Sequence, residues 1–301
     1  MKFYRKYRLF LNALVLSSLF GSQTALGKPP IENALLWEIS GQGLKQPSYL
    51  FGTIHATCAD QIILSNSLRK AFNTSGQLYL EVDLDDPNIM SNSLRGSTLK
   101  SGTSLKNYLS AKDYSKANQF FQKNISLPLD ALVNVKPIIL TTLIFPVLLN
   151  CKPASWENTF VALAHAQKKN VLGLETIQAQ FKAIDSIPPK IQAEQMMETI
   201  NDLPGAKREL AGLLTAYKNQ DISKIRQLIA QSPGMKPEYD AAIIDNRNRT
   251  WIPTILNAAK TKPTFFGVGA GHLGGKNGVI ALLRQAGYVV MPVENKYFKE
   301  K

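Results

Sequence analysis

Two short apolar runs, one near each end of the chain, finish in the same way. Tyr49-Leu50-Phe51-Gly52-Thr53-Ile54-His55 and Phe265-Phe266-Gly267-Val268-Gly269-Ala270-Gly271-His272 each read as a strand that ends at a glycine, with a histidine three residues after that glycine. Ligands of α/β sheets collect outside the carboxyl ends of the strands, so the two histidines can converge if their strands are neighbours.

The intervening chain supplies the rest of an α/β fold. Trp37 to Ser40 and Ser48 to Phe51 flank Gly41-Gln42-Gly43 and read as a hairpin. Helical spacing is expected over Asp60 to Phe72, a strand over Leu78 to Asp83, and a polar loop over Asp85 to Ser104. Helices are expected over Ser110 to Lys123, over Leu129 to Leu149 with an interruption at Pro137, and over Trp156 to Lys169. A strand from Asn170 runs to Glu175, and the spacing from Ala179 to Ala230 is helical. A helix over Pro237 to Lys260, kinked before Pro253, precedes strand Thr264 to Val268, helix Gly278 to Ala286 and strand Tyr288 to Val293. The fold class is α/β: a central mixed β-sheet with flanking helices and a helical subdomain inserted in the middle of the chain, roughly at 105-235.

The N-terminus sets the compartment. Lys2, Arg5, Lys6 and Arg8 precede an apolar run from Leu9 to Phe20, and Ala25-Leu26-Gly27 follows with small residues at the cleavage positions. Residues 1-27 are expected to be a signal peptide cut after Gly27, leaving 28-301 as a periplasmic or secreted domain; the alternative is an uncleaved anchor. Ile138 to Leu149 contains Pro146 and is too short for a span, so no stable membrane span is expected after cleavage. Export would place Cys58 and Cys151, the two cysteines, in an oxidising space, where a disulfide is expected over two buried thiols.

The 35 Lys and Arg against 22 Asp and Glu give a net charge of +13, of which the leader carries four cations. The remaining cations are scattered, with no basic run interleaved with aromatics, no zinc-knuckle spacing and no Walker loop, which excludes nucleic acid as the expected partner. The surplus reads as a solvated basic surface near anionic envelope polymers.

His55 and His272 are candidate metal ligands, since neutral imidazole is the commonest metal ligand and an acid/base near neutral pH. Gly52 and Gly269, lacking Cβ, would let a substrate or metal approach the backbone. Glu81 and Glu175 end strands and complete a His-His-carboxylate set able to bind a divalent ion and activate water. Arg247 could steady an oxyanion or bind a carboxylate, and Asn248 could orient substrate. His165, mid-helix, carries no metal role; Asp83 either supports Glu81 or begins a loop; Glu157 suits the start of a helix through its dipole.

These residues resemble the TraB/GumN family, which includes the Tiki proteases. The resemblance rests on Leu36-Trp37-Glu38-Ile39 with Phe51 to His55, Leu80-Glu81-Val82-Asp83, Gly173-Leu174-Glu175-Thr176 with Gln180, Arg247-Asn248, and Gly267 to Leu273 with Gly278-Val279 and Gly287-Tyr288. It implies an α/β fold with both Gly-x-x-His motifs in one site. It also implies a metal-dependent peptidase or related hydrolase using a manganese- or cobalt-type divalent ion rather than structural zinc. His55, Glu81 and His272 would form the metal or catalytic set, and a peptide or protein would be the substrate. Glu157 stands where many relatives carry Asp. The wider superfamily includes erythromycin-esterase-like hydrolases and haem-binding lipoproteins. A second reading therefore stays open, a non-catalytic envelope protein that binds a peptide, haem or polysaccharide fragment in the same cleft.

Overall fold

The structure, a computed structural model, describes residues 33–295. The expected leader with its four cations, and its cleavage point, lie outside the described residues. Among these residues the strands are β1 (Leu36–Ser40), β2 (Ser48–Thr53), β3 (Thr57–Cys58), β4 (Gln77–Val82), β5 (Pro153–Ala154), β6 (Val171–Glu175), β7 (Thr264–Gly269) and β8 (Val289–Pro292). Six of them form a mixed sheet in the order β6-β4-β7-β2-β1-β8. β1 runs antiparallel to β2, as the Gly41-Gln42-Gly43 turn requires, and also to β8, while β2, β7, β4 and β6 are parallel neighbours. The register sets Thr53 beside Gly269 and Val82 beside Glu175, so four strands deliver their carboxyl ends to one edge.

An aromatic cluster anchors one face of the sheet. Phe51 meets Trp156 at 5.0 Å and Phe160 at 5.4 Å between ring centroids, and Phe265 meets Phe160 at 4.9 Å and Phe72 at 5.2 Å. Strand alternation sends Phe266 to the opposite face, where it meets Tyr79. Burying each such ring stabilises the fold by about 1.5–3 kcal/mol.

The helical part comes in two stretches, Ile89 to Leu149 and Ile177 to Ala230, because helix Trp156–Ala166 and β6 between them belong to the sheet layer. A second core, around Phe121, Leu129, Leu140, Ile144 and Met196, joins the first stretch to helix Pro189–Asn201. Helices Leu203–Lys218 and Ile222–Ala230 instead reach the sheet core through Tyr217, Ile222 and Ile225.

Several local expectations change. The polar stretch after Asp85 contains helix Ile89–Ser97, because the Phe181 ring packs directly on Gly96 and tertiary contact overrides a sequence rich in Ser and Asn. The helix expected from Asp60 starts only at Asn66, where the Ser65 hydroxyl accepts from Leu68 N–H at 3.1 Å. β3 pairs with β5, and Cys58 and Cys151 beside them form a disulfide. The helical run from Pro237 to Thr261 continues through Pro253, and its irregular turn is a π-helical one at Ala241–Asp245. No helix among the described residues is long and apolar enough to cross a membrane.

Candidate functional site

The carboxyl edge of the sheet collects the candidate residues. Glu81, next to last in β4, is 7% exposed and its Oε1 accepts from the Gly269 N–H at 2.8 Å. Gly269 has its bare side turned to the site. A Cβ there would stand 3.2 Å from Glu81 Oε1, 3.6 Å from His272 Cδ2 and 3.7 Å from His55 Nε2, so one point on the backbone is flanked by all three candidate ligands. Gly52 is different, because a Cβ there would meet Leu273 Cδ1 at 2.6 Å. The approach of substrate or metal expected at Gly52 is corrected accordingly: its glycine serves close packing of β2 against the turn that carries His272.

His272 ends the short turn Ala270–His272 and is 4% exposed. Its tautomer follows from its neighbour. Asn248 Nδ2 donates to the carbonyls of Asn277 (2.8 Å) and His272 (3.3 Å), which leaves Asn248 Oδ1 as an acceptor for the ring Nδ1–H at 2.6 Å. His272 Nε2 therefore carries a lone pair. Arg247 Nη1 donates to it at 3.2 Å, and Glu81 Oε1 lies 3.8 Å away. Desolvation, helped by the Arg247 charge and opposed by Glu81, lowers the His272 pKa to about 3, so the ring is neutral at neutral pH.

Arg247 bridges two strand ends. Its Nη2 donates to Glu81 Oε2 at 2.6 Å and to Glu175 Oε1 at 2.7 Å, and its Nε donates to Glu175 Oε1 at 2.9 Å. Trp251, one turn further along the same helix face, donates Nε1 to Glu175 Oε2 at 3.1 Å and lies 4.8 Å beneath the guanidinium. The π-helical turn just before Asn246 aims Arg247 and Asn248 into the cluster, since an extra residue per turn shifts all that follows. Burial opposes the charge on Glu81, yet its pKa is held below the usual carboxylate range. A protonated His272 would be the largest contributor, but His272 is neutral by its hydrogen bonds, so Arg247 and the Gly269 N–H carry that effect.

His55 sits two residues beyond β2 at the rim, with 69% of its side chain exposed. Its Nδ1 lies 3.0 Å from Glu157 Oε1, which also accepts from the Thr53 hydroxyl at 2.6 Å. Desolvation works against the charged ring, but the hydrogen bond to Glu157 and the charges of Glu157 and Glu81 raise its pKa; exposure to solvent weakens all of these effects.

Sequence reasoning gave Glu157 only a helix-dipole role and gave Gln180, Trp251 and Thr53 none. Glu157 orients His55, and Gln180 Nε2 donates to Glu81 Oε2 at 3.2 Å. The spacing Arg247 to Trp251 is one helical turn and could have flagged Trp251. Asp83 begins a loop, accepting from the Asp85 N–H, and His165 pairs with Asp85 at the surface.

Imidazole and carboxylate are donor types that divalent ions take. Both imidazoles have Nδ1 held by an oxygen, as ligating histidines do, and Glu81 and Glu175 together exceed the single charge of Arg247. As the side chains stand, no three His, Cys, Asp or Glu residues among those described form a metal-ligating group, and Arg247 occupies the lone pair of His272 Nε2.

A mixed sheet whose parallel strand ends hold two histidines, two glutamates and a bridging arginine defines an α/β protein with a polar site built at the carboxyl edge. The family model described as the TraB/PrgY/gumN family matches residues 35–292, and the chain belongs to that family. Comparison with curated proteins and with solved structures gives no match.

Proposed function

We propose that this protein is an exported, divalent-metal-dependent hydrolase that cleaves peptide bonds, with His55, Glu81 and His272 as the ligands of the ion. The supporting observation is the bare side of Gly269, which Glu81 Oε1, His272 and His55 Nε2 flank within 3.2–3.7 Å. A bound ion of this kind lowers the pKa of water toward neutrality and polarises a carbonyl. The chain's own groups do the rest. Glu157 and Asn248 hold the Nδ1 side of each imidazole, so that each Nε2 faces inward. Arg247, fixed by Glu175 and Trp251, presents its Nη1 beside His272 Nε2, where it is placed to steady a developing oxyanion once that hydrogen bond is given up. The Gly269 N–H orients Glu81 Oε1, which would serve as ligand or proton acceptor. The disulfide supports export, because such bonds persist in oxidising compartments.

The test is incubation of the purified protein with a diverse peptide library, with manganese or cobalt and with chelator. Cleavage that chelator removes and the metal restores, and that His55→Ala and His272→Ala each abolish, is expected. Absence of cleavage with every ion, or cleavage indifferent to chelator, would overturn the reading and favour a non-catalytic binding protein.

A further inference from the structure

The surplus of positive charge is scattered in sequence, but the fold gathers part of it. A cleft of about 580 Å³ between helix Ile89–Ser97 and helix Ile177–Ile184 is lined by four cations, Arg95, Lys100, Lys136 and Lys182, against one carboxylate, Asp185. That volume lies within the about 300–1,000 Å³ usual for ligand sites. Lys136 is buried at its floor, paired with Asp185, with its ammonium 5.3 Å from the centre of the Phe181 ring. Lys100 and Lys182 are exposed at the mouth and make no ion pair among the described residues. Helical spacing puts Phe181, Lys182 and Asp185 on one side of their helix and Gln180, which touches Glu81, on the other. One helix, about 10 Å thick, thus stands between the basic cleft and the carboxylate of the candidate site.

We propose that this cleft binds an acidic segment of a polypeptide substrate, its carboxylates taken by Lys100, Lys182 and Arg95 while the rest of the chain reaches round the helix to Glu81. The proposal rests on the hydrolase reading for the word substrate; the binding itself does not depend on turnover. Flexible lysine ammoniums act as point charges and suit carboxylates at variable positions along a peptide, whereas a bidentate site would favour arginine throughout. The single acid in the lining is already engaged by Lys136, so the remaining cations are available to an anionic partner.

Fluorescence anisotropy with a fluorescein-labelled decaglutamate tests this on the intact protein in chelator, where no hydrolysis competes. Lys100→Gln/Lys182→Gln should weaken binding about tenfold, about 1.4 kcal/mol for the loss of two exposed ion pairs. Lys116→Gln/Lys123→Gln, an equal loss of charge at two exposed positions of helix Ala111–Asn124, which does not line the cleft, should leave it unchanged. Equal weakening in both variants would reduce the effect to net charge and overturn the proposal. So would failure of decaglutamate to bind, or cleft-dependent binding of an oligouronate in its place. Cleft-dependent binding with no cleavage of any peptide would sink the hydrolase reading alone.

Discussion

Asn248 grips His272 at both ends: its amide oxygen lies 2.6 Å from the ring Nδ1, and its amide nitrogen donates to the His272 carbonyl at 3.3 Å and to Asn277 at 2.8 Å. One fully buried side chain therefore fixes the turn, the ring and the tautomer together.

Asn248→Ala should destabilise the protein by about 1–3 kcal/mol, the cost of leaving buried polar groups unpaired. Urea denaturation measures this. Nitrogen-15 spectra of the histidine rings should show His272 losing its single tautomer, with the protonated nitrogen no longer confined to Nδ1; an unchanged tautomer would show that Asn248 is not what sets it.

Arg247→Met should cost more. It would leave Glu81 and Glu175 buried without their shared counter-ion, and breaking one side of a buried ion pair destabilises by about 3–5 kcal/mol. Removing one of the stranded charges in Arg247→Met/Glu175→Gln should recover part of that loss, read as a shift of the denaturation midpoint at unchanged slope. Arg247→Lys should rescue poorly, since an ammonium cannot serve two carboxylates, the Ile243 carbonyl and His272 Nε2 in one fixed plane.

How much of this was legible before the structure depends on the range of each interaction. The strand ends expected at Phe51, Asp83, Glu175 and Val268 fall within two residues of those observed at Thr53, Val82, Glu175 and Gly269, because short apolar runs are local signals. That β2 and β7 would be neighbours was a condition the sequence could pose but not settle, since register is decided by pairing far apart in the chain. The partnership of His55 with Glu157 spans 102 residues and leaves no periodic trace. The two-residue strands β3 and β5 are too short for any alternation to show. Helix Ile89–Ser97 was hidden by its composition, and the π-helical turn before Arg247 has no sequence grammar of its own.

Stability should fall on the acid side, and His272 is the reason. Its folded pKa of about 3 lies below its unfolded value of about 6.5. As pH drops through 6.5 the unfolded chain takes up a proton that the folded chain refuses, so stability declines between about 6.5 and 3, at up to about 1.4 kcal/mol per pH unit. Glu81, with its folded pKa also depressed, steepens the decline below about 4.5. His55 acts in the opposite sense: its raised pKa adds stability below about 6.5 that is lost at alkaline pH, and its exposure keeps this contribution small. Thermal denaturation across pH 4–8 should show the acid decline in the native sequence and a flatter curve in His272→Gln; equal slopes would show that another group governs the acid limb.

The last expectation concerns the bond between Cys58 and Cys151, which spans 93 residues. In the chain-entropy model a loop of that order stabilises the fold by about 4–5 kcal/mol, and native disulfides typically contribute about 2–5 kcal/mol. Its placement adds a local consequence. Cys58 follows His55 by three residues, the β3–β5 ladder pairs Thr57 with Ala154 and Cys58 with Pro153, and Glu157 lies just beyond that ladder. The bond therefore fastens together the two segments whose side chains meet as His55 and Glu157. Cys58→Ser/Cys151→Ser should lower the melting temperature markedly. It should also loosen the rim, seen as faster amide exchange at Thr57 and Ala154 while the Glu81–Gly269 contact at the sheet edge stays protected. Uniform loosening of both places would mean that the disulfide stabilises only the whole fold and does not brace His55.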